Sequence, residues 1–368
     1  MSRYLYYLII VTMVTNIIAS VPRILMSESK NGAIVSMIIA IIVGVFLTIT
    51  VINLFRHFPN MTFPEILQKY TSKWFYYPVL FYFAISWYAA GLITIATYVM
   101  LFNTFLSYET SITVTTLAFI LIISFGVLMK EKSVLYTMEL VLVLFVPVIF
   151  FLIVKVYTDP RLDWDFVKVA ITHINELPSY NAYSASTYIF IGAVNIIIFN
   201  KFIKFTKKAG FKEIVILSLT GIFTLFTTYF IPIGFNGFEQ IDNFTFPWVT
   251  TSDAVRMKFG IIERAIFIFV ILFLGVAFIS LLIHWHVSLK IFESIFLFKK
   301  LKWKERNLTS YLFVFLFGIV GIAVTREISE YQLTKLSTYF YNILPIFYIV
   351  LIVSLLFAKR RLKSNGSS

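Results

Sequence analysis

The chain contains no cysteine, which excludes disulfides, thiolate metal sites and thiol nucleophiles. Charge is scarce as well. Asp, Glu, Lys and Arg together make up 13% of 368 residues, about half the share of an ordinary soluble domain. Hydrophobic residues account for 60%, with 41 Phe and 21 Tyr, and mean hydropathy is +0.89. That much apolar surface exceeds what one water-soluble core hides, so the bilayer is the main solvent and a soluble globular enzyme is excluded.

A hydrocarbon core about 30 Å thick takes about 20 helical residues to cross. Ten apolar runs reach that scale, at approximately 4–25, 31–55, 74–106, 110–129, 134–157, 181–204, 211–233, 261–289, 309–325 and 337–358. The sequence therefore predicts an all-α polytopic membrane protein forming a single integral membrane domain over residues 1–368. Arg3 before an apolar stretch resembles a signal peptide, but Pro22 and Arg23 follow without a cleavage pattern, so the first run is read as a membrane helix. With a cytoplasmic N-terminus, 21 of the 31 Lys and Arg fall on the inner side, which places both termini inside. The acids lean outward, with Asp159, Asp163, Asp165, Glu176, Glu239, Asp242 and Asp253 in the loops 158–180 and 234–260. The net charge of +13 thus reads as membrane orientation, and no nucleic-acid partner is expected.

Two spans are interrupted. The first carries Thr15-Asn16 and then Ala19-Ser20-Val21-Pro22; the sixth carries Ser184, Ser186 and Thr187, then Ile191-Gly192-Ala193-Val194-Asn195. These interruptions occupy corresponding positions in two five-helix halves, which have opposite orientation because five is odd. The pattern predicts an inverted-repeat transporter fold with a site at the midplane. Small and hydroxylic residues also let membrane helices approach closely, so packing is the alternative for each break alone.

Outside the spans, residues 56–73 predict a turn, an N-cap at Thr62 with Pro64 early in the helix, and a short amphipathic helix. Residues 359–368 read as a basic, disordered cytoplasmic tail. Catalytic signals are weak, and no cofactor is expected. His284 and His286 at i, i+2 do not face one another, and no nearby acid completes a metal site. Glu139 is the one acid well inside a span, where a pair with Lys130 or Lys132 is expected. Glu263 and Arg264 are read as bracing an outer helix start.

Pro22-Arg23-Ile24-Leu25, Arg56-His57-Phe58-Pro59, Ser72-Lys73-Trp74, Phe190-Ile191-Gly192, Phe246-Pro247 and Ile262-Glu263-Arg264, in that order and spacing, resemble the B subunits of spore germinant receptors. The resemblance covers essentially the whole chain. It implies membership of the amino acid, polyamine and organocation transporter superfamily, with a leucine-transporter-like five-plus-five repeat. It also implies a nutrient-sensing role in the inner membrane of bacterial spores, beside an A subunit and a lipoprotein C subunit. The chain departs from that family at three points. Thr15-Asn16-Ile17 stands where relatives commonly have a glycine-rich triplet, Val194 where they often have Glu, and Ile266 where a second acid is frequent.

The expected pocket joins Thr15, Asn16, Ile17, Ile18, Ala19 and Ser20 of the first break to Ile191, Gly192, Ala193 and Asn195 of the second. Broken helices expose N–H and C=O groups able to hold the carboxylate and ammonium of an amino acid. The third span adds a wall of Trp87, Ala90, Gly91 and Thr94, and the eighth adds Ser280 and His284 at i and i+4. Three functions remain open: an amino acid sensor, an H⁺- or Na⁺-coupled permease, and a receptor scaffold without ligand.

Overall fold

Each expected span coincides with helical structure wherever it is described; the computed structural model describes residues 2–205, 207–255, 265–296, 301–303 and 306–365. The first span is split into α1 (Arg3–Ile18) and α2 (Ser20–Ser27), which meet at Ala19 with ψ −140° and diverge by 55°. Pro22 explains the position of the break. It offers no N–H to the Ile18 carbonyl, and its ring crowds that carbonyl four residues back. The ladder therefore stops at Ile18 and restarts with the proline in a first turn, where no donor is missed.

The chain continues through α3 (Ala33–Phe55), α4 (Phe63–Tyr70), α5 (Lys73–Phe105), α6 (Ile112–Val127) and α7 (Glu131–Tyr157). α4 starts where Thr62 and Pro64 dictate. The Thr62 hydroxyl accepts from the Glu65 N–H, and the Glu65 carboxylate accepts from the Thr62 N–H, closing a capping box. After α8 (Trp164–Ile171) comes the second broken span: α9 (Tyr180–Tyr188), a 3-10 stretch Ile191–Asn195, α10 (Ile196–Phe199) and a 3-10 turn Asn200–Phe202, bent by 51°. α11 (Phe211–Asn236), α12 (Pro247–Ala254) and α13 (Ala265–Ile295) follow. A two-residue antiparallel hairpin, β1 (Lys302–Trp303) and β2 (Arg306–Asn307), pairs 302 with 307 and 303 with 306. α14 (Thr309–Glu327) and α15 (Glu330–Asn365) complete the fold.

Among the described residues seven helices are long and apolar enough to cross a membrane, and nine spans result if each bent pair is one. α6, with 16 residues, stands where the fourth span was expected. Among the described residues the hairpin is the only non-helical regular element, so the chain is an all-helical membrane protein.

Several expectations need correction. α15 begins at Glu330, seven residues early, because Ser329 and Gln332 form a capping box through Gln332 N–H to Ser329 Oγ and Ser329 N–H to Gln332 Oε1. It also runs on to Asn365 instead of ending in a disordered tail from Lys359. Lys, Arg and Leu are good helix formers, and cations suit a helix C-terminus. α13 reaches Ile295, while residues 261–264, with Glu263 and Arg264, lie outside the described residues. Glu139 pairs with Arg3 at 3.2 Å, not with Lys130 or Lys132, because α1 packs along α7. The loops 158–180 and 234–260 carry the short helices α8 and α12.

Cross-chain ties sort the bundle into a basic and an acidic end. At one end Lys201 meets Glu65 at 3.4 Å and Gln68 donates to the Ser294 carbonyl. At the other, Lys30 meets Glu239 at 2.7 Å, and the Arg23 guanidinium donates to the Asp242 and Phe244 carbonyls.

The acidic end also holds a fork. Arg161 donates through Nε and Nη2 to Asp159 at 2.8 and 2.7 Å, and through Nη1 to the Ala254 carbonyl, which fastens the α7–α8 connection to α12. The Arg161 hydrogen bonds hold the Asp159 carboxyl below its ordinary value. A carboxyl depressed in the fold stabilises it above the unfolded value, about 3.9, and loses that contribution as pH falls through the folded value. Asp159→Asn is therefore expected to lower stability at pH 7 by up to about 1 kcal/mol and to leave it unchanged near pH 2. Melting curves of both proteins at the two pH values test this; an equal gap at both would refute it.

Candidate ligand site at the helix breaks

α5 touches both breaks. Its Tyr98 hydroxyl donates to the Thr15 carbonyl at 3.1 Å, in the last turn of α1. Its Trp87 Nε1–H donates at 2.7 Å to Asn195 Oδ1, and Asn195 Nδ2 in turn donates to the Gly192 carbonyl at 3.1 Å. Trp87 and Asn195 are buried, and the Trp87 ring stacks on Phe347 of α15 at 4.7 Å. One continuous helix is thus hydrogen-bonded to each of the two bent spans.

The sixteen expected residues do not share a single pocket. Trp87, Ala90, Ile191 and His284 line one cavity, together with Tyr82, Ser86, Tyr188 and the α15 residues Phe340, Ile343, Leu344 and Phe347. Ala19 and Ser20 line another, with Arg23, Thr97, Thr245, Phe246, Glu330, Leu333 and Thr334. Each has a volume of about 10 Å³, near the minimum for one water. An amino acid enters either one only if the walls separate.

The remaining candidates are engaged elsewhere. Thr15 and Asn16 bond back to the Val11 and Thr12 carbonyls, at 2.7 and 2.8 Å, inside α1. Ile17, Ile18 and Ala193 belong to the hydrophobic core. Thr94 bonds the Ala90 carbonyl, and Gly91 lies against the Trp285 indole of α13, where an added Cβ would sit 2.3 Å from it. Gly192 lies on the α1 backbone, with a notional Cβ 2.2 Å from the Leu8 carbonyl oxygen. Ser280 supports His284, whose Nδ1 lies 2.7 Å from the Ser280 carbonyl.

Two polar atoms at the first cavity have no protein partner: the Tyr82 hydroxyl and His284 Nε2, both buried. Buried polar groups are normally hydrogen-bonded, so this cavity can satisfy a polar atom of a guest. A second cluster links the first break to α15, with Ser20 Oγ 3.4 Å from Thr97 Oγ1 and accepting from Ser337 Oγ at 3.1 Å. Phe190, at the turn into the second break, fills a slot left by Gly44 of α3 and Gly221 of α11, whose notional Cβ atoms would fall 2.4 and 2.6 Å from its ring.

Sequence reasoning expected the tenth span but missed that this helix, α15, walls both cavities. Its signal was present. Thr334, Ser337 and Thr338 place hydroxyls at i, i+3 and i+4, the spacing of residues that share one helix face. Tyr98 was equally readable, one turn beyond Thr94.

The family described as spore germination protein, a spore permease family, matches residues 2–332. No curated protein matches the chain.

Proposed function

The chain belongs to the spore germination protein family, and on that premise we propose that it is the nutrient-sensing membrane subunit of a spore germinant receptor. In this reading a small nutrient, an amino acid, enters beside the second break. Partner A and C subunits then read the resulting shift, and both termini face the cytoplasm, as the Lys and Arg distribution favours. The observation that carries the reading is the pair of partnerless polar atoms, Tyr82 Oη and His284 Nε2, on a cavity beside an already bent span. α5 supplies the coupling. A guest that takes over the Trp87–Asn195 contact also loads the helix that holds Thr15 through Tyr98. Coupling requires the guest to bind one arrangement better than the other, since equal affinity moves no equilibrium.

Thermal unfolding of the purified chain across a panel of amino acids, nucleosides and sugars tests the proposal. A ligand at a hundredfold excess over its Kd adds about 2.7 kcal/mol, so one compound should raise the melting temperature clearly. Tyr82→Phe removes a buried hydroxyl without a partner and keeps the ring. It should leave the ligand-free melting temperature unchanged or higher, while abolishing the response to that compound. A Tyr82→Phe protein that responds like the parent would move the site elsewhere. Silence across the panel, with the chain alone and with its A and C partners, would leave the scaffold reading standing.

A further inference from the structure

A cavity far larger than either of those at the helix breaks lies away from both breaks. It is a groove of about 360 Å³ between the antiparallel helices α6 and α14, walled by Leu117, Leu121 and Leu128 on one side and Tyr311, Phe315 and Ile322 on the other. Gly318 forms its floor, where α14 comes so close to α6 that an added Cβ would lie 3.1 Å from Ile120. The one hydroxyl midway, Ser124, donates to the Ile120 carbonyl at 2.7 Å, so the interior presents no free polar group. Leu121 and Phe315 are 54% and 65% exposed, so the groove opens sideways, toward the hydrocarbon around the bundle.

The ends of the groove differ from its interior. Beyond Leu128 the chain turns into α7 through Lys130, Glu131 and Lys132, and Tyr311 brings a phenol to the same end. Among the described residues neither lysine forms an ion pair, and Lys132 rests over the Tyr136 ring at 5.6 Å. From Leu117 to Leu128 the groove is about 16 Å long. A helix 10–12 Å across would fill more than about 1,000 Å³ over that length, nearly three times the space present. A single acyl chain fits the volume and the apolar lining, and the two lysines suit an anionic headgroup at the interface. We propose that the α6–α14 groove is a binding site for one anionic phospholipid, with an acyl chain along Leu121 and Gly318 and the phosphate at Lys130 and Lys132.

Native mass spectrometry of the full chain in mild detergent, titrated with palmitoyl-oleoyl phosphatidylglycerol or with the phosphatidylcholine of identical chains, tests this. One phosphatidylglycerol should bind about fivefold tighter than phosphatidylcholine, the effect of one net positive charge at the headgroup. Lys130→Gln combined with Lys132→Gln leaves Glu131 alone at that end and should abolish the preference, so that phosphatidylglycerol binds no tighter than phosphatidylcholine. Leu121→Trp, which fills the groove from its open side and leaves the melting temperature unchanged, should release both. Equal retention of the two lipids by the parent, or undiminished retention by Leu121→Trp, overturns the proposal. So does a photo-crosslinker at position 121 that captures polypeptide instead of lipid in the native membrane.

Discussion

Gly192→Ala should cost about 3 kcal/mol of stability, the upper end of what overpacking a core imposes, and Gly192→Leu should give no monodisperse protein after detergent extraction. The cause is the identity of the atoms facing the glycine. A Cβ there would sit 2.2 Å from the Leu8 carbonyl oxygen, 2.7 Å from Thr12 Oγ1 and 2.8 Å from Ile9 Cα. Two of the three belong to the α1 backbone, which has no rotamer to change. Thr12 is little freer, since its hydroxyl bonds the same Leu8 carbonyl at 3.3 Å. Relief requires α1 to retreat by about 1 Å, yet α1 is also packed against α7, α11 and α13, and a close-packed interior has no slack to receive it. Gly210→Ser is the control. Nothing but the Lys208 carbonyl, at 3.9 Å, stands near that position, and serine suits the N-cap it occupies. A Gly192→Ala protein as stable as the Gly210→Ser control would show that the second break does not rest on α1. A bulky residue at 192 therefore reports on packing, and its loss of nutrient response would not locate a ligand.

Asn195→Leu should be the next most damaging change, at about 1–3 kcal/mol, because it leaves the buried Trp87 indole N–H without its acceptor. Asn195 is 1% exposed. Its oxygen accepts from Trp87 Nε1–H, and its nitrogen donates to the carbonyl of Gly192. Leucine has the right bulk and neither function. Trp87→Phe removes the other end of the longer-range bond, and the two sites should couple by 0.5 kcal/mol or more in a double-mutant cycle, as contacting residues do. Measured by urea or thermal unfolding, strictly additive effects would mean that the Trp87–Asn195 bond contributes nothing. The response to nutrient carries separate information, since the same bond connects α5 to the bent span.

Much of this architecture was legible in the sequence, for physical reasons that can be named. A helix must be apolar over its whole length to cross lipid, so the spans announced themselves by composition. Pro22 fixed the first break, because a proline removes a donor at a known distance along the ladder. Thr62 and Pro64 fixed the start of α4 by the same kind of local rule. The site was less readable, because hydropathy says nothing about which face of a buried helix meets which neighbour. Trp87 and Gly91 stand one turn apart on α5, yet one reaches Asn195 and the other supports Trp285. Gly192 looked like a point of ligand approach and is a point of helix approach. The tenth span was expected at 337–358 but its first turns were not, because Glu330-Tyr-Gln-Leu-Thr-Lys reads as polar; a capping box makes them helical, and Glu330, Leu333 and Thr334 line the second cavity.

The shortness of α6 has a consequence of another kind. Sixteen residues rise about 24 Å, some 6 Å less than an average hydrocarbon core, whereas its neighbours α5 and α13 have 33 and 31 residues. The lipid beside α6 must thin or tilt to meet it, at a fraction of a kcal/mol for each ångström. The bundle therefore has a preferred bilayer thickness on one flank only, and a membrane whose chains lengthen or stiffen will press on that flank alone.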